Sequence, residues 1–468
     1  MKTRVEDYLD HNVQNIYNQK SDTKSLKKLY GATVETIKEI SNDKGEPDWV
    51  LDIRLKAFKL FNELPNPSWG PDISYLDVAK IATYVKPKSK EERKWEDVPS
   101  DIRDIFDKLG IPESEKKSLA GAGAQFDSEV IYHNLEEKMK EKGVIYTNFD
   151  IAIKEYPDLI KKYFTKMVPI TDHKYIALHY ALFSGGSFVY VPKGVKLGQP
   201  LQSYFRLNEK GAGQFEHTLI IVEDDASLEF IEGCSAPGYN DINLHAGCVE
   251  LFVGKNAFLR FSTIENWSKN MLNLNTKKCL VEENGKIEWI MGSFGSKVSM
   301  LYPLSILNGK NATCDFTALS FAGKGQNLDT GVKIVHSAEN TSSVVNSKSI
   351  SKDGGICTFR SNVLVKKNAP RSKLALSCES LMLDSISRSD TIPVNTIENE
   401  KVTFSHEASI GKISEETIYY LMSRGLSETE AKSLIVQGFA NPIAKAFPVE
   451  YAVEMNRLIN LELEGTIG

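Results

Sequence analysis

Apolar residues in the N-terminal part of the chain recur at three- and four-residue steps, and beyond residue 186 they switch to short alternating runs. Val50, Ile53, Ala57, Leu60, Phe61 and Leu64 draw one apolar stripe along a helix, which Pro65 and Pro67 then stop. A second helix is expected to start near Pro112 and end before Gly121, so residues 1–143 read as a charged helical domain. The basic run from Lys86 to Lys94 reads as a solvated loop after a proline, not as a seat for a polyanion.

After Ser184-Gly185-Gly186 the texture is β-branched and aromatic, with Gly, Asn and Asp punctuation and almost no helical stripe up to Phe404. The runs flank small turns at Asp225-Ala226, Asn256-Ala257, Gly285-Lys286, Asn311-Ala312, Asn340-Thr341 and Asn368-Ala369. The second residues of these pairs are 31, 29, 26, 29 and 28 positions apart. A period of about 20–50 residues is the mark of stacked repeats that share one core. Residues 144–405 therefore read as a parallel β-helix; a sandwich of antiparallel hairpins also fits the turns, but the near-constant period favours the β-helix. From Ser414 the chain turns helical again. Ser427 and Glu430 form a capping box after Gly425, and Pro448 opens a last helix over Val449–Leu463. Val453, Leu458 and Leu461 of this tail, residues 406–468, pack either on the core or on a partner.

Composition narrows the function classes. The 57 Lys+Arg against 62 Asp+Glu leave a net charge of −5, with no basic footprint for nucleic acid. No apolar stretch is long enough to span a bilayer, and the charged Met1–Gln19 segment lacks an apolar signal core. The six cysteines include no C-x-x-C pair, which fits a reduced, cytoplasmic setting. Gly292–Lys297 is too short for a phosphate-binding loop, and Gly121-Ala122-Gly123 lacks the third glycine of a dinucleotide fingerprint. ATP hydrolysis would thus need a partner.

Among the thiols, Cys248, Cys279, Cys314 and Cys357 read as small buried hydrophobes. Cys378 differs, because Arg371 and Lys373 precede it and would favour a reactive thiolate. His406 and Glu407 follow about one repeat later, so the three could meet on neighbouring rungs and ligate iron; a surface histidine beside a solvated glutamate is the plainer reading. Trp267 reads as core and Arg206 as surface. The histidines do not cluster in sequence.

Several longer motifs then stand in order: Ala120–Glu129 (AGAGAQFDSE), Val189–Val195, Ser203–Asn208, Glu232–Pro237 and Ser405–Ala408. Together they resemble the SufB branch of the SufB/SufD family of iron–sulfur cluster assembly proteins, over nearly the whole chain from about Glu46. The resemblance implies a right-handed parallel β-helix between N- and C-terminal helical domains, and a non-enzymatic scaffold carrying a transient iron–sulfur cluster. It implies partners: the ATPase SufC on the C-terminal helices, SufD or a second SufB at the β-helix end, and the desulfurase SufS with SufU or SufE. It implies sulfur acceptance at Cys234 and cluster assembly at Cys378 with Glu407 and adjoining His406. Arg206, Asn208, Glu265, Trp267 and Lys277 would line the path between the two thiols. A reduced flavin is compatible with that chemistry, and no residue pattern assigns it. The family commonly has Gln where this chain has Glu265, and a carboxylate inside a β-helix calls for pairing with Lys277 or Arg206. A SufD-like structural subunit and a homomeric scaffold are the alternatives within the family; a polysaccharide lyase is the alternative outside it.

Overall fold

The computed structural model describes residues 18–21, 25–89, 91–108, 119–447 and 449–463 of the chain; the helix expected from Pro112 and the opening proline Pro448 lie outside them. From Gly186 onward the strands stack as a parallel β-solenoid of about 8 turns. One sheet runs through Leu201–Arg206, Ser227–Ser235, Phe258–Asn266, Lys286–Phe294, Thr313–Ala322, Ser342–Ser351, Lys373–Met382 and Thr403–Lys412. The facing sheet runs from Gly186–Val191 through His217–Val222 and Cys248–Val253 to Arg388–Ile397. Each turn is parallel to the next, as in Ser227↔Phe258↔Lys286↔Thr313↔Ser342↔Lys373. The runs around each small turn therefore belong to different sheets, and the hairpin sandwich is excluded.

The corners explain the period. Asp225, Asn256, Asn284, Asn311, Asn340 and Arg371 all take left-handed backbone angles, with φ between 53° and 61°. Asn and Asp tolerate this conformation better than other side chains. Asn256 Nδ2 donates to Asp225 Oδ1 at 2.9 Å, Asn284 to Asn256 at 2.9 Å, and Asn311 to Asn284 at 2.8 Å. A small turn stands at Asn368-Ala369 as expected, with Ala369 N donating to the Lys366 carbonyl at 3.0 Å, and the left-handed corner in register with Asn340 follows it at Arg371, which donates to Asn340.

Inward positions on both sheets are filled by Leu228, Phe230, Phe261, Trp289, Cys279, Cys314, Phe316 and Val345 in one apolar cluster. Outward positions are covered at both ends of the chain. Helices Val34–Lys44 and Asp48–Glu63 pack with the helix Lys174–Leu182, buried from Tyr175 onward, over the second sheet. The helix Glu428–Ala444, with its Ser427/Glu430 capping box, and the helix Val449–Leu463 lie over the first, against Ile231, Ile264, Ile290, Leu319 and Ile350. Leu458 is buried there while Val453 is exposed, so the last helix uses one face on its own core and leaves the other free.

The front of the chain is less helical than its charge pattern suggested. Lys86 and Pro87 end a strand, Ala82–Pro87, paired with Ser25–Tyr30, and Lys86 is bound to Asp43 at 2.9 Å, so this part of the basic run is not a free loop. Strands Gly121–Phe126 and Glu129–Leu135 join the first sheet before residue 143, and Thr403–Lys412 continues it beyond 405. Within Ala120–Glu129 the motif residues are structural. A Cβ on Gly121 would stand 2.7 Å from the Asn134 carbonyl oxygen. Gln125 Oε1 accepts from Gly186 N at 2.8 Å, and Asp127 Oδ1 accepts from Asn208 N and Glu209 N at 2.7 and 2.8 Å. These bonds lock the first solenoid turn.

Candidate functional site

Alternation along a strand sends every second side chain inward. On the strand Ser227–Ser235 this puts Glu232 and Cys234 inside, below the apolar Leu228 and Phe230. The parallel register then fixes what stands beside each of them. Cys234 is level with Glu265, Ser293, Ser320, Ser349 and Ser380, all buried, in one file along the solenoid. Two residues earlier, Glu232 is level with Thr263, Met291, Ala318, Ser347 and Cys378. The two thiols are five strands apart in neighbouring files, roughly 24 Å at about 4.8 Å per strand. Ser349 and Ser380 touch through their hydroxyls at 2.8 Å.

Around Cys234 lies a buried charged chamber. Lys277 is ion-paired to Glu232, whose carboxylate also accepts from Thr263 Oγ1 at 3.1 Å. His245 is hydrogen-bonded to Glu216 at 2.5 Å and, through Nδ1, to Asn273 Oδ1 at 2.7 Å. Asn273 Nδ2 donates to Glu265 Oε2 at 2.7 Å. The pairing expected for Glu265 is thus corrected: its hydrogen-bond partner is the Asn273 amide, while Lys277 binds Glu232 and acts on Glu265 only through its field. Arg206 is wholly buried rather than on the surface, and donates to Ser235 Oγ at 2.9 Å and to the Gln19 carbonyl at 2.8 Å. The ring of Trp267 lies 4.5 Å from that of His245, as part of the apolar cluster that holds Cys234. Asn208 bonds outward, to Ser21 and Tyr239.

Burial pushes the Cys234 thiol well up, and Glu232, Glu265 and Glu216 add to the push against Lys277. Burial likewise raises the Glu265 carboxyl, against Lys277 and His245. For Lys277 and His245 burial disfavours the charge, but Glu232 and Glu216 respectively outweigh it and raise both. The resting thiol is neutral beside a cation already spent on a carboxylate.

At the other end Cys378 is buried among the inward apolar residues, and burial lifts it to about 11. The thiolate expected from Arg371 and Lys373 does not form: Arg371 is engaged at the corner with Asn340 and Glu339, and Lys373 points outward. On the terminal strand, His406 is level with Leu376 and so shares the inward face with Cys378. Glu407 is level with Ser377 and is exposed on the opposite face. Within one chain the fold brings Cys378 and His406 to one face and leaves Glu407 turned away.

Sequence reasoning missed Glu216, Glu232, His245, Asn273 and the serine file. The signal was present: stepping from Cys234 by the corner intervals of 31, 28, 27, 29 and 31 lands on Glu265, Ser293, Ser320, Ser349 and Ser380.

Other imidazoles make the fold acid-sensitive. Desolvation lowers His133 to about 3, His173 and His336 to about 4 each, and His179 well below its usual value. A lowered folded value means the unfolded chain binds more protons below about pH 6.5, so stability is lost as pH falls from there, by up to ~1.4 kcal/mol per pH unit for each group. His245 has the opposite sign, with stability lost as pH rises through its raised value. The urea midpoint is expected to drop steeply from pH 6.5 to 5; a flat midpoint over that range would contradict the buried neutral imidazoles.

The fold and chamber define the class first: a parallel β-solenoid capped by helices, with a charged interior and one uncapped end. The N-terminal region of SufBD proteins matches residues 20–203, and the SufBD core domain of the iron–sulfur cluster assembly system matches residues 205–439. The chain is 51% identical over 438 residues to an iron–sulfur cluster assembly SufBD family protein of Staphylococcus aureus strain MRSA252, covering 94% of each. It is 50% identical over 438 residues, again 94% of each, to the SufBD family protein of Staphylococcus saprophyticus. The chain belongs to the SufBD family of iron–sulfur cluster assembly proteins. Among the described residues no helix is long and apolar enough to cross a membrane.

Proposed function

We propose that this chain is the SufB-type scaffold on which a nascent iron–sulfur cluster is built. The observation that carries the reading is the interior polar file from Cys234 and Glu265 through four serines to Ser380, beside Cys378. Sulfur enters as a persulfide handed over by a cysteine desulfurase of SufS type with its SufU or SufE carrier. The Cys234 sulfur attacks the outer sulfur of the donor persulfide, the donor S–S bond breaks, and the donor leaves as a thiol carrying the Cys234 proton. The polar interior, with Glu265, Lys277 and Trp267 around its start, shelters sulfur on the way to Cys378; Arg206, level with Ser235 on the opposite face from Cys234, and Asn208, bonded outward, stand outside it. Iron would then be met by Cys378 and His406 from the inner face; Glu407, on the opposite face of the terminal strand, does not reach the same ion within one chain. Mixed ligation of this kind holds a cluster less tightly than thiolates alone, which suits a scaffold that must give up its cargo.

Two surfaces support the partners. Strands Arg388–Ile397 and Thr403–Lys412 form the last turn and expose Ile392, Val394, Ile397 and Ile410. A row of unpaired backbone groups with apolar side chains calls for cover, which SufD or a second copy would provide. The C-terminal helices expose Tyr419, Tyr420, Leu434 and Val453, a face for the ATPase SufC, whose motion would uncover the buried Cys378. Sulfur acceptance is tested with Cys234→Ser: persulfide labelling of this variant by a desulfurase and carrier should fall at least ~10-fold while SufC still co-purifies. Undiminished labelling would remove Cys234 from the path.

A further inference from the structure

We propose a second, structural metal site in this chain, built by His179, His217 and Cys248 and suited to a divalent cation of zinc type. It lies outside the solenoid interior, where the helix Lys174–Leu182 covers the outer face of the second sheet, and it is independent of the scaffold reading. One ligating atom from each residue lies within 4.8 Å of the others, and all three side chains are buried. Two imidazoles and a thiolate are the donor set that zinc favours.

The proton count argues for an ion. His179 Nδ1 is 2.8 Å from the Ala246 carbonyl oxygen and must carry its hydrogen there, which leaves Nε2 bare. That bare nitrogen faces His217 Nδ1 at 3.0 Å. A neutral His217 then has to spend its one hydrogen on His179, and its own bare Nε2 points at the Glu250 carboxylate, 3.5 Å away, with no hydrogen-bond partner among the described residues. A cation between His179 Nε2 and His217 Nδ1 removes the conflict. His217 then carries its hydrogen on Nε2, toward Glu250, and His179 keeps its own on the Ala246 carbonyl. Both ligating rings would be oriented by an acceptor behind them, as metal-bound histidines commonly are.

The charges balance as well. A dication meets one thiolate from Cys248, which releases its proton on binding, and one carboxylate at Glu250. Glu250 is already fixed by the backbone N–H groups of Thr165, Met167 and Val168 at 2.7–2.9 Å and by the Tyr180 hydroxyl at 3.0 Å. Without the ion, the hydrogen-bond partner of the Cys248 thiol among the described residues is the Tyr180 oxygen, 3.9 Å from its sulfur. The site would clamp the helical front to the solenoid.

The test uses the full chain produced in medium supplemented with zinc or, separately, cobalt, and then dialysed against buffer. The zinc form should retain about one ion per chain. The cobalt form should show a thiolate-to-cobalt charge-transfer band, which needs no variant to read. Cys248→Ser should abolish the band, and His217→Gln should cut bound metal at least ~10-fold. Cys279→Ser, at a buried thiol of the solenoid interior, should change neither, which ties the band to Cys248. A chain that keeps no metal and shows no cobalt–thiolate band overturns the proposal.

Discussion

Replacing Cys378 by alanine is expected to leave the solenoid folded and to abolish cluster assembly. The sulfur is one buried group of about methyl size, flanked in register by Ser347 and Ala408, so its removal should cost about 1 kcal/mol of stability. Its chemistry has no substitute on that face, because Glu407 points the other way and His406 is the remaining donor there. Anaerobic reconstitution with iron and a sulfur source, read by absorbance, should give a wild-type band that Cys378→Ala loses. Cys314→Ala is the matched control: another buried inward thiol, with a comparable stability cost and full assembly. Wild-type cluster yield from Cys378→Ala would end the assignment of this thiol, whatever the fate of the rest.

The largest stability effect is expected at the pair of Lys277 and Glu232. Both are fully buried, and the ammonium is bound to the carboxylate directly. Glu232→Ala strands a buried cation and should destabilise the chain by about 3–5 kcal/mol. The double variant Glu232→Gln with Lys277→Met removes both charges and should recover most of that loss. Urea unfolding at neutral pH measures it, as a lowered midpoint at unchanged slope. Below the pKa of an unfolded lysine, about 10.4, the contribution of Lys277 is fully present, and it is lost as pH rises through the higher folded value. A cost under about 1 kcal/mol for Glu232→Ala would show that Glu265 takes over as the partner.

The stacked architecture was legible because each rung needs a corner, and the corner residue must tolerate a left-handed backbone. Asp225, Asn256, Asn284, Asn311 and Asn340 print that need into the chain at near-constant spacing. The turn at Asn368-Ala369 was legible too, but the left-handed corner that follows it at Arg371 was not, because arginine is not a turn-forming type. The helix stop at Pro65 and the capping box at Ser427 were readable for a similar reason: both act within a few residues. The front strands were not, since Gly121–Phe126 is buried throughout and shows no alternation.

Within the site, Cys234 and Cys378 were found as motif residues, but their environments were not. Reading Arg371 and Lys373 as neighbours of Cys378 treated closeness in sequence as closeness in space. In a strand, odd and even positions face opposite ways, so the nearest basic residues lie across the sheet from the thiol. The same alternation separates Glu407 from Cys378 although they are one rung apart.

Local rules thus determined the repeat length, the helix ends and which residue types carry the chemistry, because each depends on a few contiguous residues. Tertiary structure decided the partners: Lys277 with Glu232, His245 with Glu216, and His179 with His217 beside Cys248. These pairs are separated by tens of residues, and the register of stacked strands, set by the summed lengths of the rungs between them, is what brings their charges and protons within reach.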